Sequence, residues 1–259
     1  MSNLYLFDLD WTILGYYFYP EVYRCIINHY NLETRTNIDK LREEFYKVST
    51  SLFSNGRYLD AYDWDLVLSI VLKRYNIEVD KSFAEFVIEH INDEGVNYKE
   101  GVLDAFDYIR DRNGVIGVLT NGYKKYQEIK VKKSNLLKYV DFIVFIDDVG
   151  TIKPFEDFFH FGITKGCIDS ECEEVYYIGD DLFFDVAGAL NAGIRKVFWF
   201  NEKSDTEAGL YDMKRFLDHL LMRNSRYGNL INVNKFIKGK FFVIKSYNEF
   251  IKLLDNLEL

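Results

Sequence analysis

Short apolar runs rich in valine, isoleucine and phenylalanine recur along the chain, and each has the length of a β-strand. They are Leu4–Phe7, Val115–Leu119, Phe142–Ile146, Val175–Ile178, Lys196–Phe200 and Phe241–Ile244. Between the later runs lie helix-like stretches with apolar residues at three- and four-residue spacing, Tyr123–Ser134, Phe155–Gly166 and Asp185–Ala192. This alternation predicts an α/β fold in which helices cover both faces of a parallel sheet. Ligands of such sheets bind at the carboxyl ends of the strands.

Two regions depart from the alternation. From Tyr16 to Tyr98 the pattern is helical only, for instance at Leu59–Tyr75 and Ser82–Ile91, which predicts an inserted helical module. The segment 205–234 joins one helical pattern, Leu210–Met222, to an asparagine-rich polar stretch and predicts a smaller excursion. The expected organisation is a core of residues 1–15 and 99–259, which includes the excursion, and a helical domain of residues 16–98.

Composition and charge narrow the function classes. Of 259 residues 48% are hydrophobic and 28% charged, which is typical of a folded globular protein, and the net charge of −9 argues against a nucleic-acid partner. The basic stretch from Lys124 to Lys133 is interpreted as the solvated face of a helix. Three cysteines without a C-x-x-C pair predict neither a disulfide framework nor a zinc site, which fits a cytoplasmic location. The chain shows no leader pattern and no run long enough to predict a membrane partner.

Two acids follow the first apolar run. Asp8 and Asp10 lie two residues apart, so period-two alternation predicts that both side chains point to the same face at the strand's carboxyl end. Paired carboxylates there suit a cation, although strand-end aspartates also commonly cap turns.

A second acidic strand end follows Val175–Ile178. Asp180 and Asp181 come directly after Gly179, and Asp185 lies five residues beyond Asp180. Carboxylates from two strand ends would raise one another's pKa unless a hard divalent ion neutralises them, and oxygen ligands fit Mg²⁺. Asp181 is interpreted as a ligand or as part of a solvated loop, and Asp185 also as the N-cap of the following helix.

Two further strand ends supply candidate phosphate-binding groups. Thr120, Asn121 and Gly122 follow one apolar run and precede a helix, where a hydroxyl and free backbone N–H groups favour an anion. An Asn-Gly pair is equally an ordinary turn signal. Lys153, before Pro154, would add positive charge, although most lysines are solvated.

Four segments taken together resemble a known family. DLDWT at Asp8–Thr12, LTNG at Leu119–Gly122, KP at Lys153–Pro154 and GDDLFFDVAGALNAG at Gly179–Gly193 are similar, in order and spacing, to the four motifs of the haloacid dehalogenase superfamily of hydrolases. The resemblance implies a Rossmann-like core, Mg²⁺, phosphoryl transfer through an aspartyl-phosphate, and a cap formed by the helical insert.

The resemblance also implies roles for individual residues. Asp8 would be nucleophile and metal ligand, and Asp10 would be the general acid and base and give its backbone carbonyl to the metal. Thr120 and Lys153 would hold the phosphoryl oxygens, with Asn121 and Gly122 beside them. Asp180 would ligate Mg²⁺, supported by Asp181 and Asp185. The implied activity is hydrolysis of a small phosphomonoester, either a nucleotide or a sugar phosphate.

Alternatives remain at this stage. A phosphomutase of the same superfamily would pass the phosphoryl group to a sugar hydroxyl, and a non-catalytic binding protein could keep the fold. A dehalogenase is disfavoured because that branch lacks a counterpart of Asp10. The large Trp11 could form a wall of the pocket, and the aromatic run Tyr16–Tyr19 could either pack at a hinge or offer a flat surface to a base or sugar.

Overall fold

The computed structural model describes residues 2–16, 19–91, 96–168 and 172–257. Seven strands form one sheet in the order β5-β4-β1-β6-β7-β9-β8, and all neighbours are parallel except β8 and β9. The strands are β1 (Ser2–Phe7), β4 (Val115–Leu119), β5 (Phe142–Val144), β6 (Cys172–Gly179), β7 (Lys196–Phe200), β8 (Gly209–Asp212) and β9 (Lys240–Ile244). This is the Rossmann-like α/β architecture that the sequence predicts.

Helices cover both faces of this sheet. The helices of the core are α5 (Val102–Asp111), α6 (Lys124–Lys133), α7 (Ile146–Val149), α8 (Glu156–Gly166), α9 (Gly188–Asn191), α10 (Leu217–Arg226) and α11 (Tyr247–Leu257). On one face the ring of Phe7 packs 5.3 Å from Phe106 of α5 and 6.2 Å from Phe250 of α11. On the other face, a Cβ added to Gly166 of α8 would lie 2.5 Å from Leu4 Cδ1. Consecutive β1 residues are therefore buried, as in other parallel sheets.

A helical insert follows β1. It contains α1 (Tyr19–His29), α2 (Ile38–Ser54), α3 (Trp64–Lys73) and α4 (Phe83–His90). Local sequence sets these limits: Ser82 caps α4 in a reciprocal capping box with Glu85, and Phe83 and Phe86 on the same helix are buried. We call residues 19–91 the helical insert.

The helical insert is joined to the core by two short strands that the sequence analysis missed. β2 (Leu14–Tyr16) pairs antiparallel with β3 (Val96–Tyr98), so the expectation of helices alone between Tyr16 and Tyr98 is wrong. Three-residue strands are too short to show a period-two pattern. Tyr17 and Phe18 of the aromatic run lie outside the described residues.

The segment 205–234, which we call the C-terminal excursion, also differs from its prediction. Residues Gly209–Asp212 form the edge strand β8 rather than the start of a helix, and α10 begins only at Leu217. Leu210 pairs with Phe242 of β9, and its side chain is exposed at the sheet edge. In the sequence, this apolar residue fits the helical spacing of the residues that follow, which is why it was assigned to a helix. Similarly, Ile146 begins α7 instead of ending β5.

The expectation that the cysteines form no disulfides is wrong for one pair. Cys167, directly after α8, is joined to Cys172 at the start of β6 by a disulfide, and their Cα atoms lie 5.5 Å apart. A five-residue separation matches none of the cysteine motifs considered, so the sequence analysis had no signal for this bond. In the described ranges no helix combines the length and the apolar character that crossing a bilayer requires.

Candidate active site

Asp8 lies at the centre of the sheet's carboxyl edge. Its backbone N–H donates to the Ile178 carbonyl at 2.8 Å, which continues the pairing of β1 with β6. Its carboxylate is buried and accepts a 2.5 Å hydrogen bond from Lys153 Nζ. The strand order places Asp8 between the ends of β4 and β6, which carry Thr120 and Asp180.

The Lys153 ammonium is hydrogen-bonded to several buried groups, of which Asp8 is one. Besides Asp8, its ammonium donates to Asp185 Oδ1 at 2.6 Å, to the Leu119 carbonyl at 3.0 Å and to the Tyr177 hydroxyl at 3.1 Å. The Lys153 ammonium therefore has acceptors from several directions and is fixed in one orientation. Its side chain is only 2% exposed, so it is not a solvated lysine.

Asn121 fixes the backbone of Lys153 by a reciprocal pair of hydrogen bonds. Its Oδ1 accepts from the Lys153 N–H at 2.7 Å, and its Nδ2 donates to the Lys153 carbonyl at 3.0 Å. The same Nδ2 donates to the Tyr62 hydroxyl of the helical insert at 3.0 Å. Asn121 thus connects the turn after β4, the lysine loop and the helical insert.

The second acidic strand end differs in detail from its prediction. Asp181, not Asp185, is the N-cap: its Oδ1 accepts from the N–H groups of Phe183 and Phe184, both at 2.8 Å. Asp185 lies one turn further on, inside the π-helical segment Leu182–Ala187, and its Oδ2 accepts from the Asp181 N–H at 2.9 Å. Gly179 allows this close approach, because a Cβ there would lie 2.4 Å from Asp185 Cβ.

Three carboxylates converge at this edge. Oxygens of Asp8, Asp180 and Asp185 all lie within 4.8 Å of one another. Both Asp185 oxygens already accept hydrogen bonds from Lys153, Tyr177 and the Asp181 N–H. Asp8 and Asp180 are therefore better placed to give oxygens to a cation. A set of hard carboxylate oxygens fits Mg²⁺.

The electrostatics of the described residues reflect this crowding. Burial raises the pKa of Asp8 from 3.8 to about 7, with Lys153 opposing the shift and Asp185 adding to it. Burial, followed by the charges of Asp8 and Asp185, raises the pKa of Asp180 from 3.8 to about 9. Burial alone would lower the pKa of Lys153, but the carboxylates of Asp185 and Asp8 outweigh it and raise that pKa well above its ordinary value. Without another cation, Asp8 and Asp180 therefore keep their protons to a higher pH than ordinary aspartates do.

Asp10 is held by two side chains from α6. Its Oδ1 accepts from Lys130 Nζ at 2.6 Å, and its Oδ2 accepts from Gln127 Nε2 at 2.9 Å. Lys130 is 1% exposed, which corrects its assignment to a solvated helix face, and burial lowers its pKa against the opposing effect of Asp10. The two residues lie three apart on one face of α6.

Thr120 ends β4 beside this pair. Its side chain is buried, and its hydroxyl accepts from Gln127 Nε2 at 3.2 Å. Position 122 must be a glycine for the Gln127 side chain to lie here, because a Cβ at that position would lie 2.3 Å from Gln127 Nε2. Gln127 thus connects Asp10 to Thr120.

A cavity of about 200 Å³ lies between the helical insert and the core, with Asp10 in its wall. Its lining is mostly aromatic and comprises Tyr19, Tyr23, Tyr62, Trp64, Phe83 and Tyr126, with Asn121, Gly122 and Gln127. Trp11 lies elsewhere: its side chain is 40% exposed, and Lys99 Nζ lies 5.6 Å from its ring. The interpretation of Trp11 as a pocket wall does not match this lining, whereas Tyr19 from the aromatic run does belong to it.

The C-terminal excursion also reaches the acidic loop and the helical insert. Arg223 of α10 forms a 2.8 Å ion pair with Asp181 Oδ2. Tyr227, directly after α10, packs 5.1 Å from Phe184 and 5.2 Å from Phe53 of the helical insert. The excursion therefore covers one side of the junction between the core and the insert.

Four residues of this region were missed by the sequence analysis, namely Gln127, Lys130, Tyr177 and Arg223. In α6 the buried residues Tyr126, Gln127, Lys130 and Val131 are spaced as one face of a helix. This spacing could have indicated that Gln127 and Lys130 lie on the buried face. The surrounding lysines obscured it. Arg223 lies more than forty residues from Asp181 in the chain, so no local pattern connects them.

The family is established by comparison with known sequences. The sequence pattern of the haloacid dehalogenase-like hydrolases matches residues 5–199, most of the chain. This chain therefore belongs to the haloacid dehalogenase-like hydrolase family, as its four motifs predicted.

Individual relatives show more distant similarity. The chain is 29% identical over 101 residues to the pyrimidine 5'-nucleotidase YjjG of Escherichia coli, and this match spans only 44% of that enzyme. It is 26% identical over 196 residues to the pyrophosphatase PpaX of Bacillus mycoides, covering 75% of this chain and 82% of that protein. Among solved structures, a HAD phosphatase from Thermococcus onnurineus superposes with a TM-score of 0.63 at 24% identity, over 98% of both chains. L-2-haloacid dehalogenase from Xanthobacter autotrophicus gives a TM-score of 0.61 at 17% identity, over 99% of this chain and all of that one.

Proposed function

We propose that this hydrolase is a Mg²⁺-dependent phosphatase that hydrolyses a small phosphomonoester through an aspartyl-phosphate on Asp8. The observation that carries the proposal is the convergence of Asp8, Lys153 and Asp180 at the sheet edge, with Asp10 in the wall of a cavity between the helical insert and the core. The helical insert acts as the cap over this cavity.

In the first step, an Asp8 carboxylate oxygen attacks phosphorus and forms the acyl phosphate, while the ester P–O bond breaks. Asp10 gives its proton to the departing oxygen, which leaves as an alcohol. Lys153 and the Thr120 hydroxyl donate to the transferring phosphoryl oxygens and stabilise the charge that develops there. The Lys153 ammonium has three N–H groups and already four acceptors, so one of them must turn from a protein acceptor to a phosphoryl oxygen.

In the second step, Asp10, now a carboxylate, takes a proton from a water molecule whose oxygen attacks phosphorus. The bond between phosphorus and Asp8 breaks, inorganic phosphate leaves, and Asp10 is protonated again. One carboxyl group thus acts as acid and then as base. When bound, Mg²⁺ would be held by Asp8, Asp180 and the Asp10 backbone carbonyl, supported by Asp185, and would neutralise phosphoryl charge.

The cavity favours the nucleotide class over the sugar phosphates. Aromatic faces such as those of Trp64 and Tyr126 stack on planar rings. Gln127 Oε1 is buried and has no hydrogen-bond partner among the described residues, so an O–H or N–H group of a ligand would satisfy it.

The similar proteins support the same class of reaction. YjjG is a pyrimidine 5'-nucleotidase, and PpaX is a pyrophosphatase. The structure of YfnB from Bacillus subtilis, with a TM-score of 0.65 and 19% identity, was solved with magnesium bound. Asp10 distinguishes the phosphatase proposal from dehalogenase chemistry, which needs no acid to protonate a leaving alcohol.

Phosphate release from a panel of nucleoside monophosphates and sugar phosphates tests the proposal. Wild type and Asp8→Asn are compared with Mg²⁺ and with chelator, and thermal unfolding shows that both proteins are folded. We expect release that chelator abolishes and that Asp8→Asn lacks, because a neutral amide is a poor nucleophile towards phosphorus. Retained turnover in Asp8→Asn would remove Asp8 from the nucleophile role. No release from folded wild type would contradict the phosphatase proposal and favour a phosphomutase or a binding protein.

A further inference from the structure

Lys130 is a buried lysine on a helix whose neighbouring lysines lie at the surface. It is 1% exposed, whereas the side chain of Lys132, two residues along the helix, is 64% exposed and pairs with Glu128. The Lys130 ammonium lies 2.6 Å from Asp10 Oδ1, and the Asp10 side chain is 24% exposed. An apolar side chain at this position of α6 would pack without the cost of burying a charge.

Burying the charge of Lys130 costs a substantial free energy. Removing an ammonium from water costs several kcal/mol even after relaxation, and a single ion pair often fails to repay it. A buried ion pair is therefore weak support for stability. The chain keeps the charge at the one carboxylate to which the proposed mechanism assigns both proton transfers, which indicates a role in the reaction.

The geometry at Asp10 shows what that role is. Each carboxylate oxygen has its own donor, Lys130 on Oδ1 and Gln127 on Oδ2, and both donors come from one rigid helix. Gln127 also donates to the Thr120 hydroxyl, which ties the position of Asp10 to that of the phosphoryl-holding group. Two fixed donors leave the carboxyl group a single orientation towards the cavity.

We propose that Lys130, together with Gln127, is a positioning residue that holds Asp10 in line with the leaving oxygen. The inference rests on the phosphatase function proposed above and names a part of its machinery that no family motif contains. It predicts a specific kinetic signature. Phosphoryl transfer from an alkyl phosphate needs the proton of Asp10, whereas transfer from p-nitrophenyl phosphate does not, because its leaving group departs as a stable anion. The second step uses Asp10 as base for every substrate, so the signature is read from kcat/KM, which reports only the steps up to the aspartyl-phosphate.

The experiment compares Lys130→Met with the matched surface variant Lys132→Met on both substrate types. For the alkyl phosphate we expect kcat/KM of Lys130→Met to fall on the order of 100-fold, the lower end of what general acid catalysis contributes. For p-nitrophenyl phosphate we expect kcat/KM to fall a few-fold at most, although its kcat falls wherever hydrolysis of the aspartyl-phosphate limits turnover. Lys132→Met should match wild type on both substrates.

A double-mutant cycle with Asp10→Asn checks that Lys130 acts through Asp10. Once Asp10 is an amide, adding Lys130→Met should cost little further activity, because the two changes remove the same interaction. If Lys130→Met does not fold, Gln127→Met removes the donor to the other oxygen. Its readout is the ratio of kcat/KM between the two substrate types, because the loss of a ligand contact at Gln127 should weaken both types.

The outcomes separate this inference from the proposed function. If wild type releases no phosphate from any ester, the phosphatase proposal fails first. If wild type is active and folded Lys130→Met lowers kcat/KM equally for both substrate types, Lys130 is structural and the inference is wrong. Additive losses in the double mutant would also overturn it.

Discussion

The guanidinium of Arg223 lies 2.8 Å from Asp181 Oδ2, so the C-terminal excursion is tied to the loop that also carries Asp180. The other Asp181 oxygen caps the turn that follows, which means that both oxygens are engaged by the protein. Arg223 also lies over the rings of Phe184 and Tyr227, at 5.5 and 5.6 Å. The excursion thus supports the acidic loop from outside the motif that defines it.

Replacing Arg223 by methionine should destabilise the protein. Methionine keeps an apolar stem on the aromatic rings but leaves the partly buried Asp181 carboxylate without its cation. We expect the free energy of unfolding to fall by about 1–3 kcal/mol, the usual cost of removing one partner of such a contact. Chemical denaturation measures it. Arg226→Met, which removes an exposed hydrogen bond to the Tyr46 hydroxyl, is the matched control and should change little. Equal effects of the two variants would argue against a special role for the Arg223 ion pair.

Removing Lys153 should cost more stability than removing Arg223. Lys153→Met leaves the buried carboxylates of Asp8 and Asp185 without their shared cation. Breaking a buried pair from one side costs about 3–5 kcal/mol. We expect unfolding in chelator to show this loss and Mg²⁺ to recover part of it, because a divalent ion would restore positive charge beside Asp8. Turnover should be lost in both conditions. A variant as stable as wild type in chelator would show that the lysine does not compensate these carboxylates.

The parts of the fold that the sequence predicts are those with a strong local pattern. Val115–Leu119 and Lys196–Phe200 match β4 and β7 residue for residue, because strands that are mostly buried on both faces leave nearly continuous apolar runs. β2 and β3 carry no such run, and β8 pairs only at the sheet edge. The strands that were missed are thus the short or exposed ones, which depend on partners distant in the chain.

The candidate site divides in the same way. Asp8 and Asp180 could be placed together because each directly follows a strand, and neighbouring strands end at one edge. Lys153 lies beyond α7 and could be added only as the positive charge that the set of acids lacked. Which acid caps the turn could not be predicted, because Asp181 and Asp185 are equally plausible caps until the turn geometry is known. Lys130 was assigned to the solvent because its helix is rich in lysine. Composition describes the whole helix and does not show which of its faces is buried.

Stability without metal should fall as the pH rises. The pKa of Asp8 is raised from 3.8 to about 7 and that of Asp180 from 3.8 to about 9, so the folded state holds protons that the unfolded chain has released. Since stability falls with pH wherever the folded state binds more protons, the contribution of these groups is complete below pH 3.8 and is lost towards pH 7 and 9. Melting temperatures in chelator between pH 5 and pH 9 measure it.

Magnesium should counteract the loss of stability at high pH. Because Mg²⁺ binds the ionised carboxylates, its stabilising effect should be larger at pH 8.5 than at pH 5.5, where protons compete for the same oxygens. The control is Asp180→Asn, in which both the pH slope and the response to Mg²⁺ should shrink. A Mg²⁺ response that is the same at both pH values would contradict the assignment of these carboxylates to the metal.

The aromatic cavity makes a prediction about substrate choice. Trp64 lines it and packs 6.0 Å from Phe83, so Trp64→Leu removes a ring face while keeping an apolar side chain. Base–aromatic stacking is worth about 1–3 kcal/mol, which corresponds to roughly a 5- to 150-fold rise in KM for a nucleoside monophosphate. A sugar phosphate has no ring to stack, so its KM should change little. Steady-state kinetics of wild type and Trp64→Leu with both substrates measure the change in KM for the nucleoside monophosphate relative to that for the sugar phosphate.

The reference for this comparison is Phe161→Leu, an aromatic replacement at an exposed position of α8, which should leave both KM values unchanged. The ratio of the two substrates matters more than either value, because a general loosening of the helical insert would raise both KM values together. If Trp64→Leu weakens the sugar phosphate as much as the nucleotide, the rings serve only to pack the insert. The nucleotide preference would then have to come from Gln127, whose buried Oε1 could select a ligand by a single hydrogen bond without any stacking.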